Sequence, residues 1–194
     1  MMHVAPVTLR GTVVRLEPLT IEHVPALSRV GLEPELWRWI PTQVTNREEM
    51  RAYVATALEE SDRGVSQPFA IVTQATDQVI GSTRYGNIER LHHRLEIGWT
   101  WITPTFQRTA ANTEAKLLLL SHAFETLHAN RVELKTDALN MQSRNAILRL
   151  GAVQEGIFRR HMITASGRVR DSVYFSIVDT EWPAIKARLL TRLQ

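Results

Sequence analysis

The chain has 194 residues, of which 44% are hydrophobic and 22% charged, as expected of a folded protein with a sizeable core. It contains no cysteine, which excludes disulfides, thiolate nucleophiles and cysteine metal sites, and favours the cytoplasm. The formal net charge is +3, but the arginines are dispersed, so a nucleic-acid partner is not expected. No membrane span or signal peptide is expected, and we predict one domain over residues 1–194.

The chain is predicted to begin with a strand and two helices. The strand covers residues 13–19, and Thr20 and Asn46 are the predicted N-caps of the helices, because their side-chain oxygens can accept hydrogen bonds from helix amides. Trp37 and Trp39 lie between the helices and are either core residues or part of a substrate mouth. At least one of them is expected in the core.

Two strands joined by a polar turn of hairpin length are predicted next, at 69–73 and 79–88. Gly81 and Gly86 interrupt the second strand. Glycine inside a strand indicates a bulge or a close backbone approach.

A third strand, at 95–102, has the clearest alternation in the chain. One set of alternating residues is apolar, which predicts a strand with one buried face, formed by Leu95, Ile97, Trp99 and Trp101. The carboxylate of Glu96 is therefore expected on the opposite face, directed either to solvent or into a cleft.

The segment after this strand predicts a turn and then a helix that is apolar on more than one face, as in a helix buried between a sheet and another layer. Asn112 is the predicted N-cap, and Glu114 in the first turn suits the helix dipole. The unpaired N–H groups of such a helix favour an anionic ligand. A connector followed by a core helix without any ligand fits the local pattern equally well.

The rest of the chain predicts a strand at 131–136 and a helix that Asn140 caps and Gly151 ends. Two more strands and a last helix follow, at 153–163, 172–178 and 181–193. The prediction is an α/β (α+β) domain with one central, largely antiparallel sheet of about seven strands, flanked by helices.

Five blocks of this sequence, in their order and spacing, resemble the GNAT superfamily of acyl-coenzyme A-dependent N-acyltransferases. Within it, they are similar to the branch of ribosomal-protein N-terminal (Rim-type) acetyltransferases; the blocks are 96–101, 107–116, 140–146, 150–156 and 167–172. The resemblance covers essentially the whole chain. It implies a mixed sheet with a V-shaped splay between strands 95–102 and 131–136, and a monomer or homodimer.

The resemblance also implies a site for acetyl-CoA, the acyl donor. Its pantetheine arm would lie in the splay beside the backbone of Trp101 and Ile102, and Asn140 would lie beside its reactive end. The pyrophosphate would face the N-terminal loop of the central helix, whose site residues would be Gln107, Arg108, Thr109, Ala110, Ala111, Asn112 and Thr113. For Arg108, a plain surface role fits as well as a phosphate contact.

One feature departs from the superfamily's loop pattern, Gln/Arg-x-x-Gly-x-Gly/Ala. Gln107 occupies the first position, but Ala110 and Asn112 stand at the fourth and sixth. Glycine at these positions lets backbone approach phosphate oxygens without a β carbon in the way. We expect the loop still to bind coenzyme A.

Two residues are candidates for the chemistry of acetyl transfer. Glu96 would act as a base, through water, or is a solvated strand carboxylate. Ser143, at the third helical position after Asn140, would donate to the thioester or the leaving thiolate, although the same spacing also fits plain helix-start residues. Tyr85 and Tyr174 are further candidate acids that no spacing argument supports.

The predicted function is acetyl-CoA-dependent N-acetylation of a primary amine, either a peptide N-terminal α-amine or a small amine, by direct attack in a ternary complex. The alternative is a non-catalytic acyl-CoA-binding or sensing module on the same fold. The histidines form no ligand pattern, so no metal site is expected.

Overall fold

A computed structural model describes residues 2–193 of the chain. This part of the chain contains six α-helices and eight strands, with short 3₁₀ turns at 21–23 and 104–106 and a π-helical turn at 122–126. In chain order the elements are β1 (Leu9–Arg10), β2 (Val14–Pro18), α1 (Val24–Val30), α2 (Pro34–Trp37), α3 (Arg47–Asp62), β3 (Gln67–Thr73), β4 (Val79–Glu89), β5 (Arg94–Ile102), α4 (Ala110–Ser121), β6 (Arg131–Asp137), α5 (Met141–Leu150), β7 (Val153–Ile163), β8 (Val169–Val178) and α6 (Trp182–Leu193).

The strands form one sheet in the order β1-β2-β3-β4-β5-β6-β8-β7. Every neighbouring pair is antiparallel except β5 and β6, which run parallel. The prediction of a mixed, largely antiparallel sheet flanked by helices is therefore confirmed. The sheet has eight strands rather than about seven because β1, with two residues, is too short to show an alternating pattern.

Hydrophobic clusters cover both faces of the sheet. On one face, residues of α1, α2 and α3 such as Leu27, Trp37 and Val54 pack against the sheet. On the other face, α4, α5 and α6 pack together, with Leu119 and Leu189 fully buried. Helix α4 lies between the sheet and α6, as its nearly all-round apolar character predicts.

Most of the predicted helix ends are confirmed. The Asn46 and Asn140 side chains accept hydrogen bonds from the third amides of α3 and α5, and Gly151 ends α5 at φ +107°. The prediction that Asn112 caps α4 is wrong. Helix α4 begins earlier, because Thr109 has an extended backbone and its Oγ1 accepts a hydrogen bond from the Ala111 N–H at 3.2 Å.

The prediction that four alternating residues of β5 share one face is also wrong. Between the Ser82–Trp101 and Arg84–Gly98 pairs, β5 has two residues where β4 has one. This bulge, where Trp99 adopts φ +51°, moves the rest of the strand by one position. Leu95 and Ile97 therefore face α4, whereas Trp101 packs in the cluster of α1–α3. Strict alternation cannot be extended through a bulge, and only the first half of the strand follows it.

A buried carboxylate joins α4 to the N-terminal strands. Glu114 accepts hydrogen bonds from the backbone N–H groups of Thr12, Val13 and Val14, at 2.8, 2.7 and 2.7 Å, and from the Thr12 hydroxyl at 2.8 Å. The turn between β1 and β2 thus wraps around one carboxylate. This contact fixes the position of α4 against the edge of the sheet.

Replacing Glu114 by Gln should lower the free energy of unfolding by about 2 kcal/mol, because a neutral amide accepts fewer and weaker hydrogen bonds than a carboxylate. Urea denaturation of both proteins measures the effect. The control is Glu59→Gln on the exposed face of α3, which should change stability by less than about 0.5 kcal/mol. Equal stability of Glu114→Gln and wild type would contradict the conclusion that this carboxylate holds α4 to the turn between β1 and β2.

Candidate active site

The sheet opens between its two parallel strands. β5 and β6 pair only from Arg94–Arg131 to Glu96–Glu133, and then part. Beyond that point, β5 continues along β4 as far as Ile102, and β6 continues along β8 as far as Asp137. A V-shaped gap, as the resemblance implies, therefore lies between the carboxyl ends of the two strands.

Two helix N-termini lie at the same edge as this gap. Because β5 and β6 are parallel, α4 and α5, the helices that follow them, both start at the strands' carboxyl ends and pack in the same core cluster. The first-turn amides of a helix have no partner within the helix. Thr109 and Asn140 each satisfy one of them, so others remain available to an anion.

The segment before α4 is held by its own polar side chains. The Gln107 amide donates to the Ile102 carbonyl oxygen at 3.0 Å, and the Thr109 hydroxyl donates to the Phe106 carbonyl oxygen at 2.8 Å. Arg108 is exposed and has the left-handed φ of +61°. Ala110 and Asn112, in contrast, lie in regular helix, which needs no glycine. The absence of glycine at these positions therefore imposes no backbone strain.

Glu96 lies on the opposite face of β5 from α4 and is only 2% exposed. Its Oε2 accepts hydrogen bonds from Asn87 Nδ2 at 2.7 Å and from Lys135 Nζ at 2.9 Å. Its Oε1 lies over Gly98, where a β carbon would approach to 2.7 Å. The alternative of a solvated carboxylate is therefore excluded. One carboxylate oxygen is fixed by two donors, and the other lies beside a residue without a side chain.

Sequence reasoning missed Asn87 and Lys135. On β6, Lys135 lies on the same face as Glu133, the strand partner of Glu96. An ion pair between two strands, however, cannot be predicted from the sequence of either strand alone. Asn87 has φ +48°, a position at the irregular end of β4 that the sequence pattern does not reveal. The only signal for Lys135 is the rarity of lysine, which occurs three times in an arginine-rich chain.

An aromatic group flanks Lys135 on the same face. Its Nζ lies 5.7 Å from the ring centres of both Trp99 and Tyr174, and the Tyr174 hydroxyl lies 3.5 Å from His161 Nε2. Burial raises the pKa of Tyr174. Burial, with the charges of Lys135 and Arg170, lowers the pKa of His161. At neutral pH Tyr174 is therefore a protonated phenol beside the neutral imidazole of His161.

The other candidate tyrosine lies elsewhere. Tyr85 is fully buried in the core beneath α4, and its hydroxyl donates to the Leu119 carbonyl oxygen at 2.6 Å. It faces away from Glu96, so it is excluded as an acid at this site. Tyr174 remains a candidate.

Asn140 and Ser143 lie at the start of α5, beyond the carboxyl end of β6. Ser143 donates its backbone N–H to Asn140 Oδ1 at 3.0 Å, as the predicted capping geometry requires. Its half-buried side chain makes no hydrogen bond with any residue from 2 to 193. The hydroxyl is thus free of partners in that part of the chain, and α5 packs on the α4 side of the sheet, opposite the face that carries Glu96.

The two tryptophans have different roles. Trp37 is a core residue whose indole N–H donates to the Gly31 carbonyl oxygen at 2.7 Å. Trp39 is half-buried, and the Arg168 guanidinium lies 5.7 Å from its ring centre while also pairing with Asp137 at the end of β6. Through Arg168, Trp39 and the turn around Gly167 therefore lie near the carboxyl end of β6.

Comparisons with known proteins agree with this arrangement. The chain is 27% identical over 168 residues to the uncharacterized N-acetyltransferase p20 of Bacillus licheniformis, covering 86% of this chain and 93% of the relative. It is 25% identical over 171 residues to the ribosomal-protein-serine acetyltransferase of Escherichia coli (strain K12), with the same shares covered.

Solved structures are similar over the whole chain. A GCN5-related N-acetyltransferase from Brucella melitensis is 32% identical with a TM-score of 0.91, covering 98% of this chain and 87% of that one. Mycobacterium smegmatis RimJ, solved in complex with CoA-disulfide, is 23% identical with a TM-score of 0.82, covering 96% and 93%. At this low identity, the similarity to RimJ is evidence of a shared fold.

The site combines two parallel strands that separate with the N-termini of two helices at the same edge. This arrangement defines the class of acyl-coenzyme A acyltransferases that the sequence resembles. The family model described as acetyltransferase (GNAT) domain matches residues 14–153. The chain belongs to this family of N-acetyltransferases, and it is similar to members of the Rim-type branch. The free α4 amides suit an anionic group, and the buried Asn112 Oδ1, which has no partner among residues 2–193, suits a ligand with its own donors.

The residues from 2 to 193 include no group of three or more His, Cys, Asp or Glu placed to hold a metal ion. In the same part of the chain, none of the helices combines the length and apolar character needed to cross a membrane.

A buried lysine lies close to the gap, on the α4 side. Lys116 is 7% exposed, and its Nζ donates to the Thr100 hydroxyl at 2.7 Å, which is itself 2.8 Å from the Thr83 hydroxyl. Burial lowers the pKa of Lys116 to about 7 from its ordinary value of 10.5. The carboxylate on the same helix, Glu114, already accepts hydrogen bonds from the turn between β1 and β2.

We expect Lys116→Met to stabilise the protein, most strongly at pH 7 and below. Between pH 7 and 10 the unfolded wild type binds more protons at this lysine than the folded protein, so wild-type stability rises with pH across that window. The variant lacks this contribution, and its advantage should shrink from on the order of 3–4 kcal/mol toward zero. Urea denaturation at pH 6, 8 and 10 measures it. A constant difference across these values would contradict the lowered pKa.

Proposed function

We propose that the protein transfers the acetyl group of acetyl-CoA to a primary amine, in particular a peptide N-terminal α-amine. The observation that carries the proposal is the position of Glu96, a fixed and buried carboxylate on the face of β5 opposite the two helix N-termini. A donor held from one side of the gap and an amine approaching from the other could then meet in a ternary complex.

The α4 side would hold the donor. N–H groups of the first turn, over 107–113, would face the pyrophosphate, with the Arg108 charge beside them. The backbone of Trp101 and Ile102 lies beyond the last β5–β6 pair and would contact the pantetheine arm. Acetyl-CoA supplies the acetyl group as an activated thioester when bound.

Glu96 would take a proton from the amine through a water molecule. Its Oε1 carries no hydrogen bond from residues 2–193, while Asn87 and Lys135 hold the other oxygen. At pH 7 an α-amine is roughly 10% neutral, whereas a lysine side chain is below about 0.1% neutral. A carboxylate relayed through water therefore suits an α-amine better than a lysine.

The Ser143 hydroxyl would donate a hydrogen bond where negative charge develops, at the carbonyl oxygen or the departing sulfur. As the new C–N bond forms and the C–S bond breaks, the thiolate needs a proton. Ser143 and Tyr174 are the candidate donors, on opposite faces of the sheet. Ser143 lies on the face that would hold the cofactor, so we favour it.

Two further observations support this proposal. The E. coli relative is named a ribosomal-protein-serine acetyltransferase, a name that fits a peptide acceptor. The alternative of a non-catalytic acyl-CoA-binding module rested on the missing glycines alone, whereas relatives that match 86% of this chain are named acetyltransferases. We therefore do not favour the alternative. Release of free thiol from acetyl-CoA with a panel of N-terminal peptides tests the proposal; binding without turnover would support the alternative.

Glu96→Gln should lower kcat about 100-fold and leave the Kd of acetyl-CoA unchanged, because an amide cannot accept the proton. Steady-state kinetics and calorimetric titration of the cofactor measure the two effects. The matched control is Glu133→Gln, which changes the strand partner of Glu96 and should retain kcat within about 3-fold. An unchanged rate in Glu96→Gln would remove Glu96 as the base.

Ser143→Ala should lower kcat about 10- to 100-fold with little change in the KM of the amine, because the lost hydrogen bond forms mainly in the transition state. Ser143→Thr keeps a hydroxyl and should recover part of the rate. Asn145→Ala, at an exposed position on the same helix, is the control. Full activity in Ser143→Ala would leave Ser143 as a helix-start residue only.

A further inference from the structure

Three basic side chains are almost fully buried among residues 2–193, and one of them keeps an unbalanced charge. Arg84, 3% exposed, pairs with Glu60 at 2.9 Å, and Lys116 can lose its proton because burial lowers its pKa to about 7. Arg170 is 5% exposed and pairs with no carboxylate in this part of the chain. Burial lowers its pKa too, but a guanidinium stays protonated at neutral pH. Arg170 is therefore a buried cation without a counter-ion, which is costly.

Arg170 lies on the same face of the sheet as the proposed base. Tyr174 pairs with Lys135 across β8 and β6, and the Lys135 Nζ lies 5.7 Å from its ring centre on that face. Side chains two and four residues apart on a strand share a face, so Ser172 and Arg170 lie on this face as well. Strand β6 ends at Asp137, the partner of Ser172. Arg170 therefore lies at the edge of the sheet where the gap opens.

The Arg170 guanidinium uses only part of its donor capacity. Its Nε donates to the Ser172 hydroxyl at 3.1 Å, and its Nη1 donates to the Trp39 carbonyl oxygen at 3.0 Å. Nη2 donates to no residue from 2 to 193, yet it is not one of the partnerless side-chain atoms that are sealed from solvent. Nη2 thus combines an unused donor with accessible surface, on a guanidinium that two hydrogen bonds hold in place.

The charges around Arg170 leave room for one more anion. Asp137 and Glu96 act on its charge, but the first pairs with Arg168 and the second with Lys135. Three positive charges therefore meet two negative ones on this side of the gap, with Arg170 as the excess. An acceptor that brings a carboxylate would balance the group.

The position of the guanidinium indicates where on a peptide this carboxylate lies. The Nε bond to Ser172 turns the side chain back along β8, to the level of Asp137. Asp137 lies two residues beyond Lys135 on β6, a distance of about 7 Å. In an extended peptide, a carboxylate on the second residue lies about as far from the N-terminal amine, whereas the α-carboxylate of a free amino acid lies much closer.

We propose that Arg170 selects the acceptor by binding a carboxylate side chain on the second residue of the peptide. This inference rests on the proposed function. Nη2 donates to the carboxylate, which becomes the counter-ion that the guanidinium lacks. Peptides with Asp or Glu in the second position are therefore preferred over peptides with Asn, Gln or Lys there.

Peptide amides that differ only in the second residue, and contain no other carboxylate, test the proposal. Wild type should acetylate the Asp and Glu peptides with kcat/KM about 10-fold above the Asn and Gln peptides, mainly through KM, because the ion pair forms on binding. Arg170→Gln should lose most of this preference. The matched control is Arg159→Gln, the same change at an exposed arginine of β7, which should keep it.

Thermal unfolding reports whether the variants fold. Glutamine keeps an amide donor and removes an uncompensated buried charge, so the melting temperature of Arg170→Gln should stay within about 5 °C of wild type. If Arg170→Gln does not fold, Arg170→Lys decides in its place. An ammonium group cannot form the planar two-bond pair with a carboxylate, so the preference should fall at least about 3-fold. An unchanged preference in Arg170→Lys would then refute the assignment.

Three results would overturn the assignment: equal kcat/KM of wild type for acidic and neutral peptides, a preference that survives in Arg170→Gln, or faster acetylation of free L-alanine than of the acidic peptides. If no peptide is acetylated although acetyl-CoA binds, the proposed function fails, and calorimetry with the Glu and Gln peptides still decides the role of Arg170. Tighter binding of the Glu peptide that Arg170→Gln abolishes supports it. Equal binding of the two peptides to wild type, or a difference that survives in Arg170→Gln, refutes it.

Discussion

The structure depends on one constraint: β5 and β6 cannot remain paired beyond Glu96 and Glu133. Each strand has another partner along its whole length, β4 for one and β8 for the other, and the two partners twist apart. Backbone groups that lose their strand partner at the parting point are costly when buried, so they need water or a ligand as a partner. The same divergence places the N-termini of α4 and α5 at the gap, since both helices continue from the parted strands.

The bulge at Trp99 gives the Glu96 face its chemistry. Without the inserted residue, Trp99 and Trp101 would face α4 and crowd the side proposed to hold the cofactor. With it, Trp99 lies flat over Gly86 between two cations, Arg84 and Lys135. One local irregularity thus separates the apolar face toward α4 from the polar, aromatic face that carries Glu96.

Local patterns could be predicted from the sequence, and contacts between distant segments could not. The caps at Asn46 and Asn140 depend on a few adjacent residues, and the structure confirms both. Asn112 failed as a cap because Thr109, an equally good acceptor, starts the helix one turn earlier. The sequence left Glu96 directed either to solvent or into a cleft, because the donors that fix it, Asn87 and Lys135, come from other strands and were missed.

Buried polar groups are paired in part on both faces of the sheet. On the α4 side, Glu114 accepts four hydrogen bonds and Tyr85 donates one, which fixes helix α4 against the sheet. On the Glu96 side, the Tyr53 hydroxyl and Arg84 Nε remain without a partner among residues 2–193. The α4 side has an orphaned group of its own, Asn112 Oδ1 in the first turn of α4. Because buried polar groups are nearly always paired, an orphan beside well-paired neighbours marks a position where the rigid frame leaves room for an outside partner. At the start of α4, that partner would be the cofactor.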